Sequence, residues 1–84
     1  MLLANEFIFR SFDDAMNIHK KMFEILKEKG AVSYEDLYSA IYDCEINNPE
    51  YKNYGWTKLL YAKVEPYKNG KWILKMPPEI IKIK

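Results

Sequence analysis

The stretch that most constrains this chain is Tyr54–Pro77, YGWTKLLYAKVEPYKNGKWILKMP. It holds both tryptophans and an Asn69-Gly70 turn signal between two apolar alternations. Alternation with period two marks half-buried strands, so the stretch predicts a β-hairpin. Two closures are open to it. A two-residue type I′ loop at Asn69-Gly70 would pair Lys68 with Lys71, Val64 with Lys75 and Glu65 with Leu74. That register mixes the faces and opposes two like charges at the turn. A three-residue loop, Lys68-Asn69-Gly70, pairs Tyr67 with Lys71 instead. Pro66 then faces Trp72, Val64 faces Leu74 and Ala62 faces Met76 on one apolar face. Lys63, Glu65, Tyr67, Lys71, Ile73 and Lys75 share the other. A one-residue slip exchanges the faces, so the clean face selects this register, with a type I turn and Gly70 as the left-handed bulge residue. Pro66 has no N–H to donate, which makes its strand an edge. Pro77-Pro78 ends the other strand.

A lone hairpin is marginal in water, so a third strand or a helical cover is expected. Phe7-Ile8-Phe9, within Asn5–Arg10, is the candidate third strand. Two helices supply the cover. Ser11 caps the first, and Phe12, Ala15, His19, Met22, Phe23 and Leu26 recur at helical spacing. Asp13 and Asp14 begin it, Lys27 and Lys29 end it, and Gly30 follows, which predicts a helix over 12–29. Ser33 caps a second helix running to about residue 43, with Glu35 and Asp36 in its first turn and an apolar side of Tyr34, Leu37, Tyr38, Ile41, Tyr42 and Cys44. The short linker Gly30-Ala31-Val32 predicts a tight corner between the helices. Ile46–Asn53, rich in asparagine, reads as a loop. Thr57 is expected to cap a single helical turn through Leu59-Leu60. The tail Glu79–Lys84 either adds an edge strand or stays loose. The fold class expected is α+β, a single domain over 1–84 with an ordered core at 11–77. Two helices pack on a two- or three-stranded antiparallel sheet with a C-terminal hairpin, winged-helix-like at most.

Several functions are disfavoured. The chain has 84 residues, of which 49% are hydrophobic, so it has the means to bury a core. Its one cysteine, Cys44, can form no internal disulfide and is too little for a metal site; a small buried hydrophobe is the expected role. Solitary His19, beside an apolar stripe, reads as a packed residue. The acidic pairs Asp13-Asp14 and Glu35-Asp36 are explained by helix starts. No phosphate-binding glycine loop is present. The reading is therefore a non-enzyme with no cofactor and no metal. The N-terminus lacks the basic and apolar regions of a signal peptide, and no apolar run approaches the roughly 18 residues of a membrane span. A cytoplasmic protein without a membrane role is expected.

Charge is uneven. Residues 1–50 carry five basic and ten acidic groups, net −5, whereas residues 51–84 carry eight lysines and two acids, net +6. Lys63, Tyr67, Lys68, Lys71 and Lys75 are the candidate nucleic-acid contacts, because basic side chains with an interleaved aromatic suit a phosphate backbone. Against this stands the acidic start of the second helix, where a recognition helix would meet DNA. Tyr34, Tyr38 and Tyr42, at four-residue spacing on the second helix, are the candidate protein interface, and Ile73, Ile81 and Ile83 are candidates for pairing with another chain's edge. Trp56 and Trp72 are expected in the core. A protein partner is the first expectation and nucleic acid the second. The sequence sets no oligomeric state.

Gly55-Trp56, followed by Leu59, Ala62, Val64, Gly70, Leu74 and Pro77, resembles a family of small phage- and prophage-encoded proteins. In that family an amphipathic helix and a segment like Val32-Ser33-Tyr34-Glu35-Asp36-Leu37-Tyr38 precede a GW-x-x-L-x-x-A hairpin ending in Leu-x-x-Pro. The similarity covers roughly residues 11–77. It implies a mobile-element origin and carries no mechanism, catalytic residue or binding residue with it.

Overall fold

The structure, a computed structural model, describes residues 4–43 and 48–83. In chain order its elements are β1 (Glu6–Phe9), α1 (Phe12–Lys29), β2 (Val32–Ser33), α2 (Tyr34–Tyr42), α3 (Pro49–Asn53), β3 (Tyr54–Trp56), β4 (Lys63–Pro66), β5 (Trp72–Lys75) and β6 (Ile81–Lys82). The fold is α+β. It is richer than two helices on one sheet, because the strands form two antiparallel sheets, β1-β5-β4 and β2-β3-β6.

Local signals set the two long helices. The Ser11 hydroxyl accepts from Asp14 N–H at 3.1 Å and starts α1. Gly30, at φ 78°, ends it by donating its N–H to Leu26 O at 2.8 Å. Ala15 and Met22 are buried on the face that packs across β4 and β5. Helix α2 starts with a capping box: Ser33 Oγ accepts from Asp36 N–H and Asp36 Oδ2 from Ser33 N–H, both at 3.0 Å. Lys29 Nζ reaches Asp36 at 3.0 Å and ties the end of α1 to the start of α2. Cys44 lies outside the described residues, so its expected burial has no structural counterpart here.

The hairpin takes the register of the face-sorting argument. Pro66 pairs with Trp72, Val64 with Leu74 and Lys63 with Lys75. Tyr67 N–H donates to Lys71 O at 2.8 Å. The turn itself differs from expectation. Asn69 (φ 59°) is left-handed along with Gly70 (φ 73°), and Lys71 N–H returns to Lys68 O at 3.2 Å. These are the signs of a type I′ turn, with Tyr67 and Lys68 together opposite Lys71 as a bulge. Asn69 tolerates this region better than most residues, so both the preferred turn and the clean face are satisfied at once. Ala62 and Met76 do not extend the ladder. Met76 N–H turns to Asn5 O at 2.7 Å, and Ala62 N–H bonds back to Leu59 O at 3.0 Å. The candidate third strand forms: β1 pairs with β5, which leaves β4, with Pro66, at an edge as expected.

Around the second sheet three local expectations are corrected, at Val32-Ser33, Pro49–Asn53 and Thr57, and the tail takes its edge-strand alternative. Val32-Ser33, read as part of a corner, pairs with Trp56 and Gly55. Tyr54-Gly55-Trp56 is the central strand, and the tail closes the sheet by pairing Ile81 with Gly55 and Lys82 with Tyr54. Pro49–Asn53, read as loop, is the short helix α3, started by Asn48 Oδ1 accepting from Glu50 N–H at 3.0 Å. Its start signals were present, but five residues are too few to show a period. No helical turn forms at Thr57; the chain bends there and turns at Leu60-Tyr61.

The core lies where both sheets meet α1 and α2. It contains Phe7, Met22, Val32, Tyr34, Leu37, Trp56, Leu59, Leu74 and Met76. The Trp56 indole N–H donates to Pro77 O at 2.8 Å, so a large ring is buried without leaving its donor unpaired. Trp72 is only half-buried and meets Phe12 edge-on at 4.9 Å between centroids.

Candidate functional site

The outer face of the β1-β5-β4 sheet brings Lys63, Tyr67, Lys71 and Lys75 together, with Lys68 at the tip. The ion pairs decide what that face presents. Glu65 takes Lys63 at 2.9 Å and Lys75 at 3.1 Å, and Glu6 approaches Lys75 at 4.0 Å. Hydrogen bonds from Lys63 and then Lys75 hold the Glu65 carboxyl below the usual glutamate range, and Glu65 in turn raises the Lys75 ammonium. Lys68 and Lys71 make no ion pair among the described residues. Lys68 Nζ sits 5.7 Å from the centre of the Tyr67 ring, an exposed cation–π contact. The lysine-rich face is thus charge-balanced at one end, and its free cations are at the turn. Ile73 is on this face as expected, but it is only 6% exposed and lies on the central strand between Ile8 and Glu65. It offers no edge to another chain. Ile81 pairs with Gly55 and Ile83 N–H donates to Asn53 O at 2.7 Å, both on the side of β3; β6 is itself an edge of its sheet.

The tyrosines of α2 do not form one exposed stripe. Tyr34 is 3% exposed and belongs to the core, stacked 6.1 Å from Trp56 and edge-on to Tyr51 at 4.8 Å. Burial pushes its hydroxyl pKa up, with the neighbouring Tyr51 and Tyr38 adding to the effect. Tyr38 is half-buried, and only Tyr42, 54% exposed, stands on the surface. The rings form a ladder from core to surface, with Tyr38 4.4 Å from Tyr42 and 5.7 Å from Tyr51. The reason is the adjacent second sheet: β2 and β3 turn the first residue of α2 inward, which spacing along one helix does not reveal.

Sequence reasoning missed Leu60 and Tyr61. They are 79% and 75% exposed, the most exposed large hydrophobic residues among those described. The turn that carries them is held by the Ala62-to-Leu59 bond, while neighbouring Leu59 is buried. Turn tips ordinarily use Gly, Asn, Asp or Pro, so a Leu-Tyr pair is not there for the backbone. A groove lies on each side of this knuckle. One is lined by Asn5, Glu6, Lys63, Lys75 and Met76, the other by Trp56, Lys58, Pro77, Glu79 and Ile81. The available signal was three consecutive large apolar residues, Leu59-Leu60-Tyr61, which a single turn cannot bury together.

Of the remaining polar groups, Glu35 Oε2 is buried with no hydrogen-bond partner among the described residues. His19 Nε2 lies 3.2 Å from Ala62 O, and its ring packs on Phe23 at 4.9 Å. Glu35 pairs with Lys52 at 3.9 Å. Among the described residues no helix is long and apolar enough to cross a membrane, and no cluster of metal-ligating side chains occurs. Compared with family models, curated proteins and solved structures, the chain gives no match.

Proposed function

We propose that this chain is a small cytoplasmic accessory protein, not an enzyme, that acts by binding a protein partner. The exposed Leu60-Tyr61 knuckle carries the reading. Two large apolar side chains at a turn tip, with a groove on either side, suit an anchor inserted into a partner's surface. Tyr42 supplies a second exposed aromatic, at the outer end of the tyrosine ladder. A phage or prophage origin, implied by the family resemblance, is part of the same proposal.

The lysine turn supports a second reading, non-specific contact with nucleic acid through Lys68 and Lys71. Two phosphate contacts would give a log–log salt slope near −2, so affinity would fall only about tenfold between about 50 and 200 mM salt. Binding of that size is weak, which ranks it second.

The test uses affinity capture from a host extract, followed by titration with the purified captured protein. Leu60→Ser with Tyr61→Ser should abolish capture and titration, while Lys68→Ala with Lys71→Ala should leave both intact. These positions are exposed, so stability should change by no more than about 0.5 kcal/mol. Retention of the partner by the Leu60/Tyr61 variant would refute the anchor. Loss on replacing the lysines, with amide shifts on added DNA, would favour the second reading.

A further inference from the structure

The two edges of the β1-β5-β4 sheet are treated differently. Edge β4 carries Pro66, which has no N–H, and Lys63. Both are devices that discourage edge-to-edge pairing. Edge β1 has neither, and among the described residues no strand pairs with its outer side. The phase of its backbone follows from the ladder. Met76 N–H donates to Asn5 O, and Phe7 and Phe9 lie opposite Leu74 and Trp72. Asn5, Phe7 and Phe9 therefore spend their backbone groups on β5, whereas Glu6 and Ile8 direct theirs away from the sheet. Arg10 follows directly after β1, at the bend that leads into α1.

The side chains at Glu6, Ile8 and Arg10 are all exposed, with Ile8 at 51%. Read along the chain through β1 and the bend after it, they are acidic, apolar and basic. That order is self-complementary about Ile8. In an antiparallel pair centred there, Ile8 would lie opposite its own copy, and each Glu6 would lie opposite the partner's Arg10. An isologous interface needs this property, since residue i must meet j wherever j meets i. Opposite charges directly across strands stabilise such a pairing and like charges oppose it.

We propose that β1 pairs with β1 of a second copy of this chain, joining two three-stranded sheets into a continuous six-stranded one across a two-fold axis at Ile8. The contact is short, so the dimer dissociates on dilution. The proposal does not depend on the Leu60-Tyr61 reading, and neither variant pair tests the other.

Sedimentation equilibrium over a wide concentration range at low salt tests it. Wild type should pass from monomer to dimer. Glu6→Arg alone and Arg10→Glu alone each oppose like charges twice per dimer and should weaken association at least about tenfold. An equimolar mixture of the two variants restores opposite charges at both positions and should recover a dimer that neither forms alone. Ile8→Lys should keep the chain monomeric. Amide spectra and melts establish that each variant folds; Glu6 already touches Lys75 only at 4.0 Å, so its replacement should leave the sheet intact. A wild type that stays monomeric throughout would overturn the proposal. So would variants that dimerise like wild type, or a mixture that stays monomeric.

Discussion

Gly55→Ala is the substitution whose cost follows most directly from the structure. Gly55 is in the central strand β3, between Ser33 of β2 and Ile81 of β6. A Cβ built there would overlap the Val32 carbonyl oxygen and lie 2.7 Å from Ser33 Cα and 2.8 Å from the Val32 carbonyl carbon. All three are backbone atoms, so no rotamer change relieves the clash and β2 must move. With β2 go fully buried Val32 and the Ser33 cap of α2. Where the native backbone tolerates it, Gly→Ala stabilises by about 0.4–1 kcal/mol through the unfolded chain. Here overpacking costs about 1–3 kcal/mol, and partial exposure of Val32 costs up to about 1.5–3 kcal/mol more. The net expectation is a loss of about 3–4 kcal/mol, against a total of roughly 4–13 kcal/mol for a domain of this size. The melting temperature should fall by about 12–30 °C. Urea unfolding followed by tryptophan fluorescence and far-UV circular dichroism would measure it. Gly30→Ala and Gly70→Ala are the controls: each has open space but a positive φ, of 78° and 73°, and should cost only about 1–2 kcal/mol. A Gly55→Ala loss no larger than that of Gly30→Ala would refute the close-approach argument.

Trp56→Phe should cost about 2–4 kcal/mol, because it strands the buried Pro77 carbonyl and leaves a gap beside Tyr34; chemical denaturation checks this, and a loss below about 1 kcal/mol would contradict the buried hydrogen bond. Glu65→Gln tests the sign of the outer-face electrostatics. The Glu65 carboxyl has a lowered folded pKa, so its contribution is present above the unfolded carboxylate pKa and is lost as pH falls through the folded value. The stability difference between wild type and Glu65→Gln should therefore be largest near neutral pH at low salt and vanish in acid. A difference independent of pH would show that Glu65 acts through packing instead.

Legibility followed the range of each signal. Helix α1 was readable to its last residue because Ser11, the Asp13-Asp14 and Lys27/Lys29 charges, and Gly30 all act within a turn of the chain they terminate. The hairpin register was readable because alternation with Lys63, Glu65 and Lys75 penalises a slip at every position. The turn type was not, since Asn69 and Gly70 serve two closures and the bulge depends on ladder strain. The candidate site was less legible than the fold. The cluster Lys63, Tyr67, Lys68, Lys71 and Lys75 was located, but alternation placed Glu65 on the same face without showing that it pairs with both Lys63 and Lys75; Glu6, far away in the chain, adds only a 4.0 Å approach to Lys75. Leu60 was absorbed into a helical turn that does not form, and Tyr61 just after it was not singled out.

Taken alone, the sequence determined the class of the fold, both long helices with their starting caps, the hairpin register and the uneven charge of its halves, and it marked Phe7-Ile8-Phe9 as a candidate strand whose pairing with β5 the structure decided. These rest on local preference and on periodicity over runs long enough to show it. Only the tertiary structure decided that Val32-Ser33, Tyr54–Trp56 and Ile81-Lys82 form a second sheet. Two- and three-residue strands have no period, and each is held by partners more than twenty residues away. That sheet in turn draws Tyr34 into the core and requires glycine at position 55. Burial and close approach are properties of what the rest of the chain brings alongside, which no single stretch of sequence contains.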